Sequence, residues 1–121
     1  MSDTQSLKDF FAAWWTDDAD GRAALVRSAI SDDFHYLDPR TPDPISTAGA
    51  MLEYVSQFLN MCPPGARVEV AEPVDIQSGH ARATVHFIMG PDKKQVGQYF
   101  ADLDRDGKIS RLVGFVGKGA E

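Results

Sequence analysis

One short stretch of the chain places a carboxylate beside aromatic side chains in a pattern that suits acid–base chemistry. Residues 34–39 read Phe-His-Tyr-Leu-Asp-Pro. Side chains on a β-strand alternate between two faces, so Phe34, Tyr36 and Asp38 are expected to share one face. A carboxylate in an apolar pocket takes up a proton more readily than one in water, which suits a general base. Asp38 is therefore the candidate catalytic residue.

Asp38 also has a purely structural interpretation. Asp before Pro is a common pair at the start of a turn, where the carboxylate binds backbone N–H groups. Pro39, Pro42 and Pro44 make the next segment a loop, because proline lacks the N–H donor and fixes φ. Asp38 either faces a pocket or caps this loop. Tyr36 has the same two alternatives, a ligand donor or a core tyrosine.

Helical periodicity predicts three elements that would surround this strand. Apolar residues recur at i, i+3, i+4 and i+7 in the first element, and Trp15 widens its apolar face. A short second helix is expected over residues 22–30. The third is expected to begin near Ser46 or Thr47 and to end at Pro63-Pro64-Gly65. The apolar stripes of the first and third helices consist of Leu7, Phe10, Phe11 and Trp14, and of Met51, Leu52, Val55, Phe58 and Leu59.

Strand-like segments fill the second half of the chain. They are expected over 68–76, 80–89, 96–104 and 109–116, with Pro73 marking an edge or a bulge in the first of them. The odd positions of 80–89 are all apolar and include Phe87, so that face is expected to lie inside. With the strand around Tyr36, the order α-α-β-α-β-β-β-β predicts an α+β fold with an antiparallel sheet.

Composition limits the function classes. Twelve Lys and Arg stand against 18 Asp and Glu in 121 residues, and a net charge of −6 disfavours binding to nucleic acid or to an anionic membrane. No apolar run approaches the ~18 residues of a membrane span, and the N-terminus lacks a basic leader. One cysteine, Cys62, forms no intrachain disulfide. We therefore expect one domain, residues 1–121, in the cytoplasm.

One acidic stretch imitates the start of a calcium loop, but it does not predict a metal site. Asp102, Asp104 and Asp106 would occupy positions 1, 3 and 5, and Gly107 position 6. Position 12 needs a bidentate glutamate, and Val113 stands there. The three histidines lack the close spacing of zinc ligands. We expect no metal, and a hairpin turn at this stretch.

In their order and spacing, several pieces resemble the nuclear transport factor 2-like superfamily and, within it, the SnoaL-like branch. These pieces are the aromatic first helix, the segment SDDFHYLDP, the proline-rich loop, the helix ending in PPG, and the closing segment DRDGKISRLVGFVG. The resemblance covers nearly the whole chain. It implies a cone-shaped, strongly bent antiparallel sheet with N-terminal helices closing an apolar pocket. It also implies a homodimer formed through the outer sheet face.

The apolar faces that would point into such a cone give the candidate ligand-binding residues. Trp14 and Phe10 of the first helix would form a lid over the pocket or simply seal the core. Val55 of the third helix and Phe87 of the 80–89 strand belong to faces expected to lie inside. The two tyrosines expected to orient a ligand are Tyr36 and Tyr99.

The resemblance also implies which chemistry Asp38 could perform. Similar ketosteroid isomerases carry their proton-transferring aspartate in a YxDP context, and Asp38 falls there. Their enolate donors, a first-helix tyrosine and a penultimate-strand aspartate, correspond to Phe10 and to Tyr99 or a residue near it. Phe10 has no hydroxyl, so steroid isomerisation is disfavoured while another enolisation stays open. Similar dehydratases pair Asp with His. His86, however, lies at an even position of the 80–89 strand, so its side chain is expected on the face opposite to the apolar odd positions.

The sequence thus predicts a protein that binds a small, mostly apolar organic molecule. As an enzyme it would be an isomerase, cyclase or dehydratase that needs no cofactor, with Asp38 as general base on a carbonyl or hydroxyl compound. The alternative is a non-catalytic ligand-binding or dimerisation module of the same fold, because fold alone does not determine chemistry.

Overall fold

The computed structural model describes residues 5–63 and 65–117. Its helices lie in the first half of the chain, as predicted, and the first of them continues into a 3₁₀ turn over Ala13–Trp15. Pro64, part of the predicted helix stop, lies outside the described residues. The α-helices are α1 (Gln5–Ala12), α2 (Ala19–Ala29) and α3 (Ala48–Met61).

Side-chain caps explain where two of these helices begin. The Asp18 carboxylate accepts from the Gly21 N–H at 2.7 Å, and this cap starts α2 earlier than residue 22, where the sequence placed it. The Thr47 hydroxyl accepts from the Ala50 N–H at 3.1 Å, so the predicted start of α3 is confirmed. The start of α3 matters because this helix carries one wall of the site.

Six strands form one curved sheet, and the α+β class is confirmed. The strand order is β1-β6-β5-β4-β2, and β3 also pairs with β4. The strands are β1 (Ile30–Leu37), β2 (Arg67–Val70), β3 (Asp75–Gln77), β4 (His80–Gly90), β5 (Lys93–Leu103) and β6 (Ile109–Val116).

The sheet is not antiparallel throughout. β1 and β6 run parallel, with Tyr36 opposite Leu112, whereas the other strand pairs are antiparallel. The expectation of a purely antiparallel sheet is therefore wrong at this edge. Antiparallel neighbours follow from tight hairpins, but β1 leads into the proline loop and α3, so no hairpin fixes its direction.

The predicted strand over residues 68–76 is two short strands. β2 and β3 both pair with β4, and the chain between them contains Pro73, which has no N–H for the ladder. The sequence expected an edge or a bulge there, and the edge position is confirmed.

The core lies between the inner face of the sheet and the helices. The odd positions of β4, Ala81, Ala83, Val85 and Phe87, are buried as predicted. Trp14 is 2% exposed, but Trp15 is 43% exposed, so Trp15 does not widen the apolar face. The two tryptophans sit in the 3₁₀ turn, where successive side chains point about 120° apart.

The acidic stretch before β6 is a hairpin turn, as expected. The Asp104 Oδ1 atom accepts from the Asp106 N–H at 2.9 Å and from the Lys108 N–H at 3.0 Å. In the part of the chain that the structure describes, no cluster of three potential metal-ligating side chains occurs. Within the same residues, no helix is long and apolar enough to cross a membrane.

Candidate functional site

A cavity of about 60 Å³ opens between the inner face of the sheet and α3. This volume is several times the ~10–15 Å³ that one water molecule needs, so it admits a compact organic molecule. The wall is mostly aromatic, and Asp38 and Arg40 carry its charges. The lining residues are Trp14, Asp38, Pro39, Arg40, Tyr54, Phe58, Phe87, Gln95, Val96, Gly97, Tyr99, Gly114, Phe115 and Val116.

The two oxygens of Asp38 have different partners. Oδ1 accepts from the Arg40 backbone N–H at 2.8 Å and so caps the proline loop. Oδ2 accepts from the Tyr36 hydroxyl at 2.6 Å and from the Tyr54 hydroxyl at 2.5 Å. The two interpretations that the sequence left open therefore apply together, one to each oxygen. The loop contact fixes the carboxylate while its other oxygen is held by the two tyrosine hydroxyls.

Tyr54 was missed by the sequence analysis. It lies on α3 one helical turn before Phe58, which was assigned to the apolar stripe, and three residues after buried Met51. This i, i+3, i+7 spacing is the signal that could have placed Tyr54 on the inner face. Its partner could not be found this way, because the contact with Asp38 depends on how α3 crosses the end of β1.

The three tyrosines of the site are all held in the protonated form. Burial raises the pKa of Tyr36, and the neighbouring Tyr99 and Asp38 raise it further. Burial and then the hydrogen bond to Asp38 raise the pKa of Tyr54. Burial likewise raises the pKa of Tyr99 to about 12. These phenols act as hydrogen-bond donors at neutral pH and cannot serve as bases there.

Two glycines create the space that Tyr99 occupies. Gly114 lies opposite Tyr99 on β6, and a Cβ at Gly114 would stand 2.5 Å from the Tyr99 ring. A Cβ at Gly97 would stand 3.1 Å from the same ring. The Tyr99 ring therefore lies flat over backbone, and it stacks on Tyr36 with ring centroids 6.5 Å apart. This close packing fixes one wall of the cavity.

The structure brings most of the predicted site residues together, but not all at the cavity surface. Trp14, Phe87, Tyr99 and Asp38 line the cavity. Tyr36 is fully buried and reaches the site through its hydrogen bond to Asp38.

Phe10 and Val55 are also fully buried, and they lie outside the set that lines the cavity. Phe10 packs on the rings of Trp14 and Tyr36, with centroids 6.1 Å away in each case, and so supports the wall from behind. His86 is absent from the lining set as well, in line with its strand phase.

Comparison with solved structures identifies the fold. A SnoaL-like family protein from Agrobacterium tumefaciens superposes with a TM-score of 0.80 and 23% identity over 93% of this chain and 95% of its own. A designed protein with the nuclear transport factor 2 fold gives a TM-score of 0.69 and 18% identity, over 97% of this chain and 88% of the designed protein. The chain has the nuclear transport factor 2-like fold. The fold assignment made from the sequence is thereby confirmed.

A third structure with this nuclear transport factor 2-like architecture shows how far the sequences diverge. That protein comes from Catenulispora acidiphila, has a ketosteroid isomerase-like fold and was solved in complex with trimethylamine. It gives a TM-score of 0.68 and 11% identity, over 91% of this chain and 83% of its own. No protein-family profile matches the chain. No curated protein matches it either. These comparisons show the fold, and the chemistry must be argued from the site.

Proposed function

We propose that this protein binds a compact, mostly apolar carbonyl compound and that Asp38 removes a proton from the carbon next to the carbonyl. The reaction would be of the isomerase, cyclase or dehydratase type and would require no cofactor. The observation that carries the proposal is the Asp38 carboxylate in the wall of an aromatic cavity, fixed at 2.5–2.8 Å by three donors.

Asp38 is the carboxylate among the residues that line the cavity, and a carboxylate is a side chain of the type that acts as a general base. The pKa values of Tyr36, Tyr54 and Tyr99 are all raised, so their hydroxyls stay protonated. Arg40 is a permanent cation. A ligand proton released in this cavity would therefore pass to Asp38, and the tyrosines around it would remain donors.

The donors have separate tasks in the proposed reaction. Tyr36 and Tyr54 hold the carboxylate in place before transfer. As the proton moves to Asp38, negative charge grows on the ligand oxygen, and a donor aimed at that oxygen lowers the barrier. The Tyr99 hydroxyl is suited to this, because the Tyr99 ring lines the cavity beside Asp38. Burial raises the pKa of Tyr99 to about 12, so the hydroxyl keeps its proton at neutral pH. Return of the proton at a second carbon would complete an isomerisation.

Exchange of α-hydrogens with solvent tests the proposed step without knowledge of the natural substrate. Cyclopentanone in D₂O is incubated with the protein, and loss of the α-proton signal is followed by NMR. We expect exchange above the buffer rate, and we expect Asp38→Asn to lower the protein-catalysed rate by ~100-fold or more, as for loss of a general base.

A matched control separates the role of Asp38 from a general effect of charge. Asp33 lies on β1, the strand that Asp38 follows, and is exposed, so Asp33→Asn should leave the exchange rate unchanged. Cyclopentanone affinity is measured for all three proteins. Equal exchange in the wild type and Asp38→Asn, with the ketone bound by both, would contradict the catalytic proposal.

The hydrogen bonds of Asp38 also favour a second candidate, a non-catalytic binder. Three donors bind the carboxylate, and because both phenols bind Oδ2, one lone pair of Oδ1 is left to receive a proton. A purely structural aspartate would hold the loop and both tyrosines in place. In that case cyclopentanone binds, no exchange occurs, and Asp38→Asn changes only stability.

We also propose that two copies of the chain pair through the outer face of the sheet. Phe100 and Phe115 are 44% and 55% exposed, and their rings pack edge to face with centroids 5.7 Å apart, although Phe115 also borders the cavity. Exposed aromatic pairs on a sheet face are typical of association surfaces. Oligomeric mass measured by sedimentation velocity tests this part of the proposal.

A further inference from the structure

Two aromatic side chains of the cavity wall carry hydrogen-bond donors. The Asp38 carboxylate, the cavity's charged acceptor, already binds three donors. Trp14, which carries an indole N–H, and Tyr99, which carries a hydroxyl, both line the cavity. A ligand that matches these two donors brings an acceptor oxygen.

Trp14 is the strongest of these donors as an indication of a ligand. Its side chain is 2% exposed, and its Nε1 atom is buried with no hydrogen-bond partner in the described residues. Indole N–H groups usually find an acceptor when they are buried, because an unsatisfied donor is costly. Rings surround the indole on several sides: Tyr54, Phe58 and Phe87 lie 5.0–6.0 Å from it between centroids. Among the described residues, none of these rings makes a hydrogen bond with the indole N–H.

Trp14 differs from Phe10, which lies on the same apolar stripe, in that its side chain carries a hydrogen-bond donor. Phe10 belongs to the same helical stripe one turn earlier, is fully buried, and has no polar atom to offer a ligand. Trp14 lies closer to the cavity, in the 3₁₀ turn that packs against α3, and it lines the space that Asp38 also lines. A donor from the N-terminal helical region is therefore present in the site, but as an indole and not as a hydroxyl.

We infer that Trp14 Nε1 donates a hydrogen bond to the carbonyl oxygen of the ligand and so selects compact carbonyl compounds over hydrocarbons of the same shape. This inference rests on the proposed function, since it names the ligand class for the cavity beside Asp38. In the proton transfer, Trp14 and Tyr99 would then share the developing oxyanion. The ligand oxygen would satisfy the buried N–H that the described residues leave without a partner.

The wild-type protein gives a direct readout through its indole N–H signals. Trp14 and Trp15 are the tryptophans of the chain, and the exposed Trp15 is an internal control. Trp15→Phe assigns the two ¹H–¹⁵N indole signals. Cyclopentanone and methylenecyclopentane, which have the same shape, are then titrated separately. We expect the ketone to move the Trp14 signal downfield, and the alkene to leave it without that downfield change.

Affinities complete the test. Cyclopentanone should bind the wild type about tenfold more tightly than methylenecyclopentane, the effect of one good hydrogen bond. Trp14→Phe keeps an aromatic ring and removes the N–H, so the preference should fall to about one. An unchanged preference in Trp14→Phe, or a Trp14 signal that responds alike to both probes, would overturn the inference.

The outcomes separate this inference from the proposed function. Equal binding of both probes contradicts the role of Trp14 and leaves proton transfer by Asp38 to the exchange assay. Failure of both probes to bind at their solubility limits contradicts the inference and the proposed function together. If Trp14→Phe does not fold, the indole signals of the wild type decide alone.

Discussion

The two faces of the same strands behave differently. On β5, Tyr99 points inward, is 5% exposed and has its pKa raised by burial to about 12, whereas the next residue, Phe100, points outward and is 44% exposed. On β4, Phe87 lines the cavity, while Arg82 makes an ion pair with Asp75 at 2.7 Å on the open surface. Polar groups inside depend on one another for hydrogen bonds, and those outside depend on water. Substitutions should therefore have large, coupled effects inside and small, separable effects outside.

The largest effect is expected where the inner face is most tightly packed. Gly114→Ala would place a methyl group 2.5 Å from the Tyr99 ring, which must then move into the cavity. We expect a loss of roughly 1–3 kcal/mol in the free energy of unfolding, as for overpacking, and loss of cyclopentanone binding. Urea unfolding and ligand titration measure both.

A second glycine provides the control for this prediction. Gly90 also lies in a strand, but a Cβ there would meet no atom within 4 Å. Gly90→Ala should retain the ligand and the stability of the wild type. If Gly114→Ala behaves in the same way, the Tyr99 wall is not rigid and the account of the inner face is incorrect.

The next effect concerns the outer face and leaves the cavity alone. Phe100→Ser removes an exposed aromatic ring that does not line the cavity. We expect the association of two copies to weaken about tenfold or more, because exposed aromatic residues dominate such contacts. Sedimentation velocity over a range of concentrations measures the change. Cyclopentanone affinity should be unaffected, and a wild type that is monomeric at every concentration would refute the pairing of outer faces.

Unfolding measured over a pH series tests the burial of Tyr99 on the inner face of the sheet. The pKa of Tyr99 rises on folding from an ordinary value of 10 to about 12. Above pH 10 the unfolded chain therefore loses a proton that the folded protein keeps, so stability present below pH 10 is lost as the pH rises towards 12. Tyr99 should account for about 1 kcal/mol of this loss between pH 9 and pH 11.

Tyr99→Phe is the comparison for the pH series. Its free energy of unfolding should fall less steeply than that of the wild type over the same interval. Parallel curves would show that Tyr99 titrates in the folded protein as it does in water, against its burial in the wall.

The smallest effect is expected at the ion pair on the outer face. Arg82 and Asp75 have side chains that are 61% and 60% exposed, so water screens their attraction. Arg82→Gln should change the free energy of unfolding by less than ~1 kcal/mol, and 1 M NaCl should remove the difference. A larger, salt-resistant change would mean that the outer face is as tightly coupled as the inner one.

Much of the fold could be predicted because it follows from local periodicity. The alternation of Phe34, Tyr36 and Asp38 and the apolar odd positions of β4 each assign a face without knowledge of distant contacts. The parallel pairing of β1 with β6 could not be predicted this way, because a strand followed by a loop and a helix carries no hairpin to fix its direction.

The site itself was only partly predictable for the same reason. Asp38 was found from the alternation of the segment that ends β1, but its partner Tyr54 comes from a helix 16 positions along the chain. For Phe10 and Val55 the sequence predicted burial correctly but not whether they line the cavity. Their periodicity correctly places them inside, yet whether an inner residue faces a cavity or another side chain depends on packing that no single element determines.

The most direct test of the account is a map of where a compact ketone binds. Cyclopentanone is added to ¹⁵N-labelled protein, and backbone amide shifts are followed. The account predicts changes at cavity residues such as Gly97 and Gly114, and none at Asp75 or Arg82 on the outer face. Shifts confined to the outer face, or no saturable shifts at all, would contradict the claim that the Asp38 cavity is the functional site.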